Sequence, residues 1–203
     1  MEISSQLVKD LRQRTGAGVM DCKTALNEAK GDIEAAIEYL RRKGLATAAK
    51  KAGRIATDGL VSAYIHAGGK IGVLVEVNCE TDFVARTEDF QAFVKNIAMH
   101  IAAANPQYIR REEIPSDILE RERRIYRTQA VESGKPEKVL DKIVDGKLER
   151  FYSEVCLLEQ TYVRDSDLTV KDVLDALIAK IGENVAIRRF ARFQLGEGLQ
   201  SRS

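Results

Sequence analysis

Two alternating stretches on either side of a Gly-Gly turn constrain the fold of this chain more than any other feature. Apolar residues occupy every second position in residues 61–65 and again in residues 71–77, and Gly68-Gly69 separates the two stretches. A period of two predicts β-strands, and a glycine turn between them predicts an antiparallel hairpin. Residues 184–195 alternate in the same way without a neighbouring strand, so we expect them to join the hairpin in a three-stranded antiparallel sheet.

The third predicted strand has a definite pair of faces. Alternation of apolar and polar residues is typical of a half-buried strand, which turns its apolar side chains toward a covering layer. We expect Val185, Ile187, Ala191, Phe193 and Leu195 to face inward, and Arg188, Arg192 and Gln194 to face outward.

Residues 1–54 show apolar residues at helical spacing and predict three short helices. Ser4 or Ser5 is a suitable N-cap for the first helix, and Asp32 is a suitable N-cap for the third. A basic, alanine-rich connector follows in residues 41–54 and is expected to be partly helical. We therefore predict a small three-helix domain with its connector in residues 1–54.

Residues 55–203 combine the predicted sheet with further helices. Helical spacing predicts one long helix behind Thr87, two shorter helices separated by Gly146, and a last helix that ends at Gly182. The whole chain is therefore predicted to be an α+β protein, in which helices cover a small antiparallel sheet in a core domain of residues 55–203.

The charge balance argues against nucleic acid and membranes as direct partners. The chain has 32 Lys and Arg residues against 31 Asp and Glu residues, so it carries no global basic field. No apolar run approaches the ~20 residues of a membrane span, and the start of the chain lacks the pattern of a signal peptide. We expect a cytoplasmic protein.

The basic clusters of the sequence are interpreted as solvated helix faces. They are Arg41-Arg42-Lys43, Arg110-Arg111, residues 121–124 and Arg188-Arg189.

Residues suited to catalysis or metal binding are scarce. The two histidines, His66 and His100, have no Cys or second His at metal-ligand spacing. The three cysteines form no CxxC pair, and Cys79 has no basic neighbour that would activate it. No phosphate-binding loop of the GxxxxGK[ST] type occurs. The sequence therefore predicts neither an enzyme with its own active site nor a bound cofactor or metal.

The segment between the second strand and the long helix carries the most informative residues. Residues 78–86 place an acidic side chain and an aromatic one, Asp82 and Phe83, between two rigid elements. An exposed Phe83 would be a wedge for a partner protein. The alternative is that Phe83 folds back as the first core residue of the helix, since apolar residues at such turns commonly pack inside. The local pattern leaves both interpretations open.

Several motifs together resemble the translation elongation factor Ts family. They are residues 7–23, which include Arg14-Thr15-Gly16-Ala17-Gly18, residues 31–37, residues 75–85, and Ile181-Gly182-Glu183-Asn184-Val185 with Arg188-Arg189-Phe190. The resemblance extends over nearly the whole chain. The length of the chain resembles the short form of the family, in which the second half of the core and the projecting coiled coil are reduced.

The resemblance implies a guanine-nucleotide exchange factor for the GTPase elongation factor Tu, without an active site of its own. It implies that the N-terminal helices form a ubiquitin-associated-like domain. It further implies that Thr81, Asp82, Phe83 and Val84 press into the GTPase and dislodge its Mg²⁺. Because short members of the family can dimerise through the core, a homodimer is a further expectation.

A second contact with the GTPase is implied for the N-terminal domain. The residues Val19 and Met20 match those that pack on a helix of the GTPase in the family. Their spacing would equally suit a place in the core of the three-helix domain. Two other classes of function also remain open: a non-catalytic adaptor that uses this domain to bind peptides, and an RNA-binding protein that uses the arginine clusters.

Overall fold

The computed structural model describes residues 3–199, so residues 1, 2 and 200–203 of the predicted domains lie outside the described part. Within residues 3–199 the chain forms eight α-helices and three β-strands, which confirms the predicted α+β class. The elements are α1 Ser5–Thr15, α2 Val19–Glu28, α3 Ile33–Lys51, β1 Asp58–Ile65, β2 Ile71–Cys79, α4 Asp82–Ala85, α5 Glu88–Ala104, α6 Ser116–Glu132, α7 Glu137–Val155, α8 Val170–Ile181 and β3 Val185–Gln194.

The three strands form one antiparallel sheet in the order β1-β2-β3. The His66 N–H donates to the Ile71 carbonyl oxygen at 2.9 Å and closes the predicted hairpin. The Leu195 N–H donates to the Lys70 carbonyl oxygen at 2.8 Å, just past the end of β3 and just before the start of β2. The end of β3 therefore lies beside the start of β2, which confirms that the third strand runs antiparallel to the hairpin.

The predicted faces of β3 are correct only for its first half. Val185 and Ile187 are buried as expected, but the Phe193 side chain is 72% exposed and that of Leu195 is 76% exposed. Ala191 is exposed as well. The interpretation that Ala191, Phe193 and Leu195 face inward was therefore wrong.

The reversal of faces arises at two consecutive arginines. Arg188 and Arg189 both donate to the carboxylate of Glu76, at 2.7 Å and 2.6 Å. The burial pattern shifts by one residue at this point, since Val185 and Ile187 are buried before the two arginines and Phe190 and Arg192 are half-buried after them. A shift by one residue moves every later side chain to the other face. The Arg192 guanidinium, predicted to face outward, instead donates to the Ala102 carbonyl oxygen at 3.2 Å.

The chain divides into two compact units that do not follow the sequence order. Among residues 3–199, the first unit contains residues 3–60, 77–94 and 172–186, and the second contains residues 61–76, 95–171 and 187–199. The division passes through all three strands. The boundary predicted between residues 54 and 55 stays a prediction.

In the first unit, helices α1 to α3 pack around a small apolar core. Its fully buried members are Leu11, Cys22, Ala25, Leu26 and Ala36. The predicted N-caps are confirmed, because the Ser4 hydroxyl accepts from the Leu7 N–H at 3.2 Å and the Asp32 carboxylate accepts from the Ala35 N–H at 3.0 Å. Helix α3 continues through the basic connector to Lys51, so most of the connector is helical.

In the second unit, α6 and α7 form an antiparallel helical hairpin. Ion pairs from Arg123 to Asp145 at 3.3 Å and from Arg127 to Asp141 at 2.6 Å join the two helices. The prediction of a helix break at Gly146 was wrong, since α7 runs through it from Glu137 to Val155. A glycine inside a helix costs about 1 kcal/mol. The burial of Val144 and Leu148 on either side of it outweighs this cost.

The second unit also contains a fully buried histidine with a complete set of hydrogen bonds. The Val163 N–H donates to Nδ1 of His100 at 3.3 Å, so this nitrogen carries no proton. The Nε2 atom lies 2.9 Å from Oε1 of Gln160, whose amide group donates to the Glu154 carbonyl oxygen. Burial lowers the pKa of His100 from its ordinary value of 6.5. The folded protein therefore holds this imidazole in its neutral form.

We expect the free energy of unfolding to fall as the pH drops below about 6.5. The unfolded state then binds a proton that the folded His100 resists, so the slope of stability against pH is positive and for this one proton at most about 1.4 kcal/mol per pH unit. Urea unfolding at a series of pH values between 8 and 5 measures it. His100→Gln should be less stable at pH 8 and lack this slope, whereas the exposed His66→Gln should retain it. A wild-type stability that does not change over this range would contradict the prediction.

Candidate protein-binding site

A single helical turn lies where the sequence analysis placed a simple turn. Helix α4 spans only Asp82–Ala85, between the end of β2 at Cys79 and the start of α5 at Glu88. Thr81 is its N-cap, and its hydroxyl oxygen accepts from the Val84 N–H at 3.5 Å. A helix of four residues stabilises itself poorly, because it makes few internal hydrogen bonds. The position of this turn therefore depends on its surroundings.

Phe83 projects from this turn into solvent. Its side chain is 79% exposed, whereas Val84 and Ala85 are buried beneath it. The alternative in which Phe83 belongs to the core is therefore wrong. Asp82 is half-buried, and its carboxylate forms an ion pair with Arg86 at 2.8 Å. The turn thus presents an aromatic ring beside a paired acidic group.

The loop between α8 and β3 holds the Phe83 turn in place through hydrogen bonds. The carboxylate of Glu183 accepts from the Thr81 N–H at 3.1 Å and from the Thr81 hydroxyl at 2.8 Å. The neighbouring Asn184 N–H donates to the Glu80 carboxylate at 2.6 Å. This bond and the charge of Arg54 lower the pKa of Glu80. The sequence analysis assigned no role to Glu183 or Asn184, although both belong to the Ile181–Val185 motif.

Cys79, just before the turn, is a buried and inert thiol. Its Sγ donates to the Thr81 carbonyl oxygen at 3.1 Å. Burial raises the pKa of this thiol, and the nearby negative charge of Glu183 raises it further. The thiolate that a nucleophile requires is therefore disfavoured, as the sequence predicted.

The first turn of α2 carries a second exposed apolar group. The side chain of Met20 is 71% exposed and that of Val19 is 49% exposed, so neither belongs to the core of the three-helix bundle. Val19 borders a shallow groove between α1 and α2. The groove is also lined by Ile3, Ser5, Val8, Lys9, Arg12 and Lys23. Both apolar groups, Phe83 and the Val19–Met20 pair, lie in the first unit.

The basic clusters are largely paired with acidic side chains. Arg41 bonds to Asp172 at 2.8 Å, Lys43 bonds to Asp21 at 2.7 Å, and Arg111 bonds to Glu149. Such pairing supports the interpretation of these clusters as solvated surface. In the part of the chain from residue 3 to residue 199, no helix has the length and apolar character needed to cross a bilayer.

The sequence itself matches one known family. The family model described as Elongation factor TS matches residues 20–197. A protein named Elongation factor Ts from Geobacter sulfurreducens is 63% identical over 202 residues, covering 100% of this chain and 94% of that relative. Another, from Caldanaerobacter subterraneus, is 66% identical over 198 residues, covering 98% of this chain and 99% of that relative. The chain belongs to the elongation factor Ts family.

Membership in the elongation factor Ts family makes this chain a translation elongation factor of protein biosynthesis. The resemblance drawn from the sequence motifs is thus confirmed. A further elongation factor Ts, from Carboxydothermus hydrogenoformans, is 65% identical over 197 residues that cover 97% of this chain and 91% of that protein. These elongation factor Ts relatives are therefore close to this chain in length.

Proposed function

We propose that this chain is a guanine-nucleotide exchange factor for the GTPase elongation factor Tu. It would act by inserting the Thr81–Val84 turn into the GTPase and displacing Mg²⁺ from its nucleotide site. The observation that carries the proposal is the 79% exposure of Phe83 on a turn whose neighbours are buried. The ring can bury its apolar surface only against a partner, and large aromatic side chains are enriched among the residues that carry binding energy at protein interfaces.

The proposed action needs no covalent chemistry and no cofactor in this chain. GDP and Mg²⁺ hold the GTPase in one arrangement, so a partner that prefers the empty form weakens nucleotide binding by the same factor. A thousandfold faster release requires about 4 kcal/mol of barrier lowering. Burying one phenylalanine contributes about 1.5–3 kcal/mol. The ring of Phe83 and its neighbours are therefore of sufficient size to drive the exchange.

Each residue of the turn has a distinct part in the proposal. Phe83 supplies the apolar wedge, and Val84 lies buried behind it as a support. Asp82 brings a negative charge close to the ligands of the Mg²⁺ ion and competes for their hydrogen bonds. Thr81 caps the turn and keeps its backbone in place.

The N-terminal three-helix domain would dock the chain on the GTPase. Val19 and Met20 form the exposed apolar surface that would pack against a helix of the partner. Docking through this surface raises the local concentration of the Phe83 turn near the nucleotide site. The whole cycle would take place in the cytoplasm, without direct contact to nucleic acid or membrane.

A measurement of GDP release tests the proposal against its alternatives. Elongation factor Tu loaded with a fluorescent GDP analogue is mixed with this chain in a stopped-flow instrument. We expect release to accelerate with the concentration of the chain and to reach a plateau. Binding without acceleration would support an adaptor instead, and binding of RNA with steep salt dependence would support an RNA-binding protein.

We further propose that two copies of this chain pair through the outer face of the sheet. Five exposed apolar residues of the second unit carry this proposal: Val61, Ile65, Leu74, Phe193 and Leu195. Ile65 and Gly72 share a face, because Cδ1 of Ile65 lies 3.1 Å from the position that a Cβ on Gly72 would take. Leu74 lies on that face too, because side chains two residues apart on one strand point to the same side of the sheet.

A single charge on this face is expected to separate the two copies. Leu195→Asp would bury an unpaired carboxylate in the interface, so the dimer should weaken at least about 100-fold. Sedimentation velocity at micromolar concentration measures the change. Val131→Asp, at an exposed valine of α6, is the matched control and should sediment like the wild type. A wild-type chain that sediments as a monomer would contradict the homodimer.

A further inference from the structure

The loop of residues 182–184 is the part of the first unit that meets the backbone of the Phe83 turn. Helix α8 ends at Ile181 and β3 begins at Val185, so the loop is short and fixed at both ends. We propose that Glu183 and Asn184, together called the clasp, position the turn so that Phe83 is held ready for insertion. The proposal rests on the exchange function proposed above and deepens it, because it names residues that act through Phe83 rather than on the partner.

The first contact of the clasp uses both oxygens of one carboxylate. Oε2 of Glu183 accepts from the Thr81 N–H at 3.1 Å, and Oε1 accepts from the Thr81 hydroxyl at 2.8 Å. Because the hydroxyl gives its proton to Glu183, its oxygen is free to accept from the Val84 N–H at 3.5 Å. The carboxylate therefore orients the cap of α4.

The second contact of the clasp fixes the residue before the cap. The Asn184 N–H donates to the Glu80 carboxylate at 2.6 Å, and the Asn184 side-chain amide donates to the Arg54 carbonyl oxygen at 2.7 Å. Arg54 in turn pairs with Glu80 at 3.4 Å. Asn184 is buried, so these bonds are shielded from water. Glu80 and Thr81, the two residues that lead into α4, are thus both held from the same loop.

These contacts matter because α4 is too short to hold itself. A four-residue helix has almost no cooperative stability of its own. Without other contacts, the backbone of this turn would adopt many conformations, and the ring of Phe83 would occupy many positions. Ordering a side chain or loop during binding costs conformational entropy, and a turn that is already ordered avoids that cost. The clasp supplies this order in the free protein. Glu183 is therefore a positioning residue, since both oxygens of its carboxylate are engaged by Thr81.

The clasp is tested first in the free protein, without any GTPase. Hydrogen exchange of the Thr81 and Val84 amides is compared in the wild type, Glu183→Ala and Glu183→Gln. In Glu183→Ala both amides should exchange at least about tenfold faster, since a charge-assisted hydrogen bond of this strength is lost. Glu183→Gln keeps an acceptor oxygen for the Thr81 N–H and should recover most of the protection.

Lys180→Ala is the matched control for these variants. Lys180 lies in the last turn of α8, three residues before Glu183, and pairs with Asp89 at 2.7 Å. Its removal deletes one ionic bond between α8 and α5 without touching the turn. Exchange at Thr81 and Val84 should match the wild type in this variant. Equal exchange in the wild type and Glu183→Ala would overturn the clasp, whatever the chain does to a GTPase.

The second test separates positioning from docking. With elongation factor Tu and a fluorescent GDP analogue, Glu183→Ala should lower the plateau rate of release about 10- to 100-fold while the half-saturating concentration changes less than about threefold. Glu183→Gln should restore most of the plateau rate, and Lys180→Ala should match the wild type. If Glu183 contributed only to the stability of the fold, Glu183→Ala would change the plateau rate, the half-saturating concentration and the midpoint of unfolding together.

A double-mutant cycle completes the test. If Glu183 acts only through the ring, Glu183→Ala should change the plateau rate less than about twofold in the Phe83→Ala background. The same loss in both backgrounds would overturn the proposal. A wild-type chain that does not accelerate release at all would refute the exchange function, and the hydrogen-exchange result would then still decide whether the clasp orders the turn.

Discussion

Replacing Phe83 by alanine is expected to slow the stimulated release of GDP by about 10- to 150-fold at saturating concentrations of this chain. The estimate follows from the loss of about 1.5–3 kcal/mol of aromatic burial, since about 1.4 kcal/mol corresponds to a factor of ten in rate. The binding of the chain should weaken much less, because docking through Val19 and Met20 remains. Stopped-flow release of fluorescent GDP measures both the plateau rate and the half-saturating concentration.

The free energy of unfolding should be the same in Phe83→Ala as in the wild type. The side chain of Phe83 is 79% exposed, so its removal deletes few packing contacts with the protein interior. Alanine also has the highest helix propensity. Leu199→Ala is a matched control, because Leu199 is also 79% exposed but lies far along the chain from the turn. A plateau rate for Phe83→Ala equal to that of the wild type would discard the wedge.

Replacing Met20 by aspartate is expected to weaken docking on elongation factor Tu at least about 30-fold, as loss of a central apolar contact commonly does. The change removes an exposed apolar side chain and places a charge where a partner surface would exclude water. The plateau rate of GDP release should stay near the wild-type value, since the Phe83 turn is intact. Calorimetric titration and the concentration dependence of release measure the two effects.

The fold should tolerate an aspartate at this position. Met20 lies in the first turn of α2, where a negative charge interacts favourably with the helix dipole. Ile55→Asp is the control. Ile55 is an exposed apolar residue of the same unit, but it belongs neither to the Phe83 turn nor to the Val19–Met20 surface. If Met20→Asp and Ile55→Asp bind the GTPase equally well, the N-terminal docking surface is refuted.

Predictions from the sequence were correct where a structural feature depends only on residues that are close together in the chain. Ser4 and Asp32 were recognised as N-caps because a cap is defined by a side chain and an amide three residues away. The hairpin was recognised because alternation and a glycine turn are contained within a few residues. The end of α8 at Gly182 follows from the same kind of signal, and this glycine has a φ of +81°.

Predictions failed where a distant contact overrides the local pattern. Gly146 does not interrupt α7, because packing of its neighbours against α6 exceeds the cost of one glycine. Phe193 and Leu195 are exposed, because the alternation of buried residues in β3 shifts by one at Arg188 and Arg189, which both bond to Glu76 of the adjacent strand. The spacing of apolar residues in the sequence of β3 does not predict this shift. The local pattern likewise left open whether Phe83 lies inside or outside.

The amino-acid sequence by itself determined the class of fold, the N-caps of α1 and α3, the end of α8 and the membership of the family, because caps, periodicity and motifs involve residues that are close together in the chain. Only the tertiary structure decided that Phe83 stands in solvent and that Glu183 holds Thr81 across 102 positions of the chain. The physical reason is that burial and long-range hydrogen bonds depend on which segments meet once the chain has folded, and no local stretch of sequence contains that information.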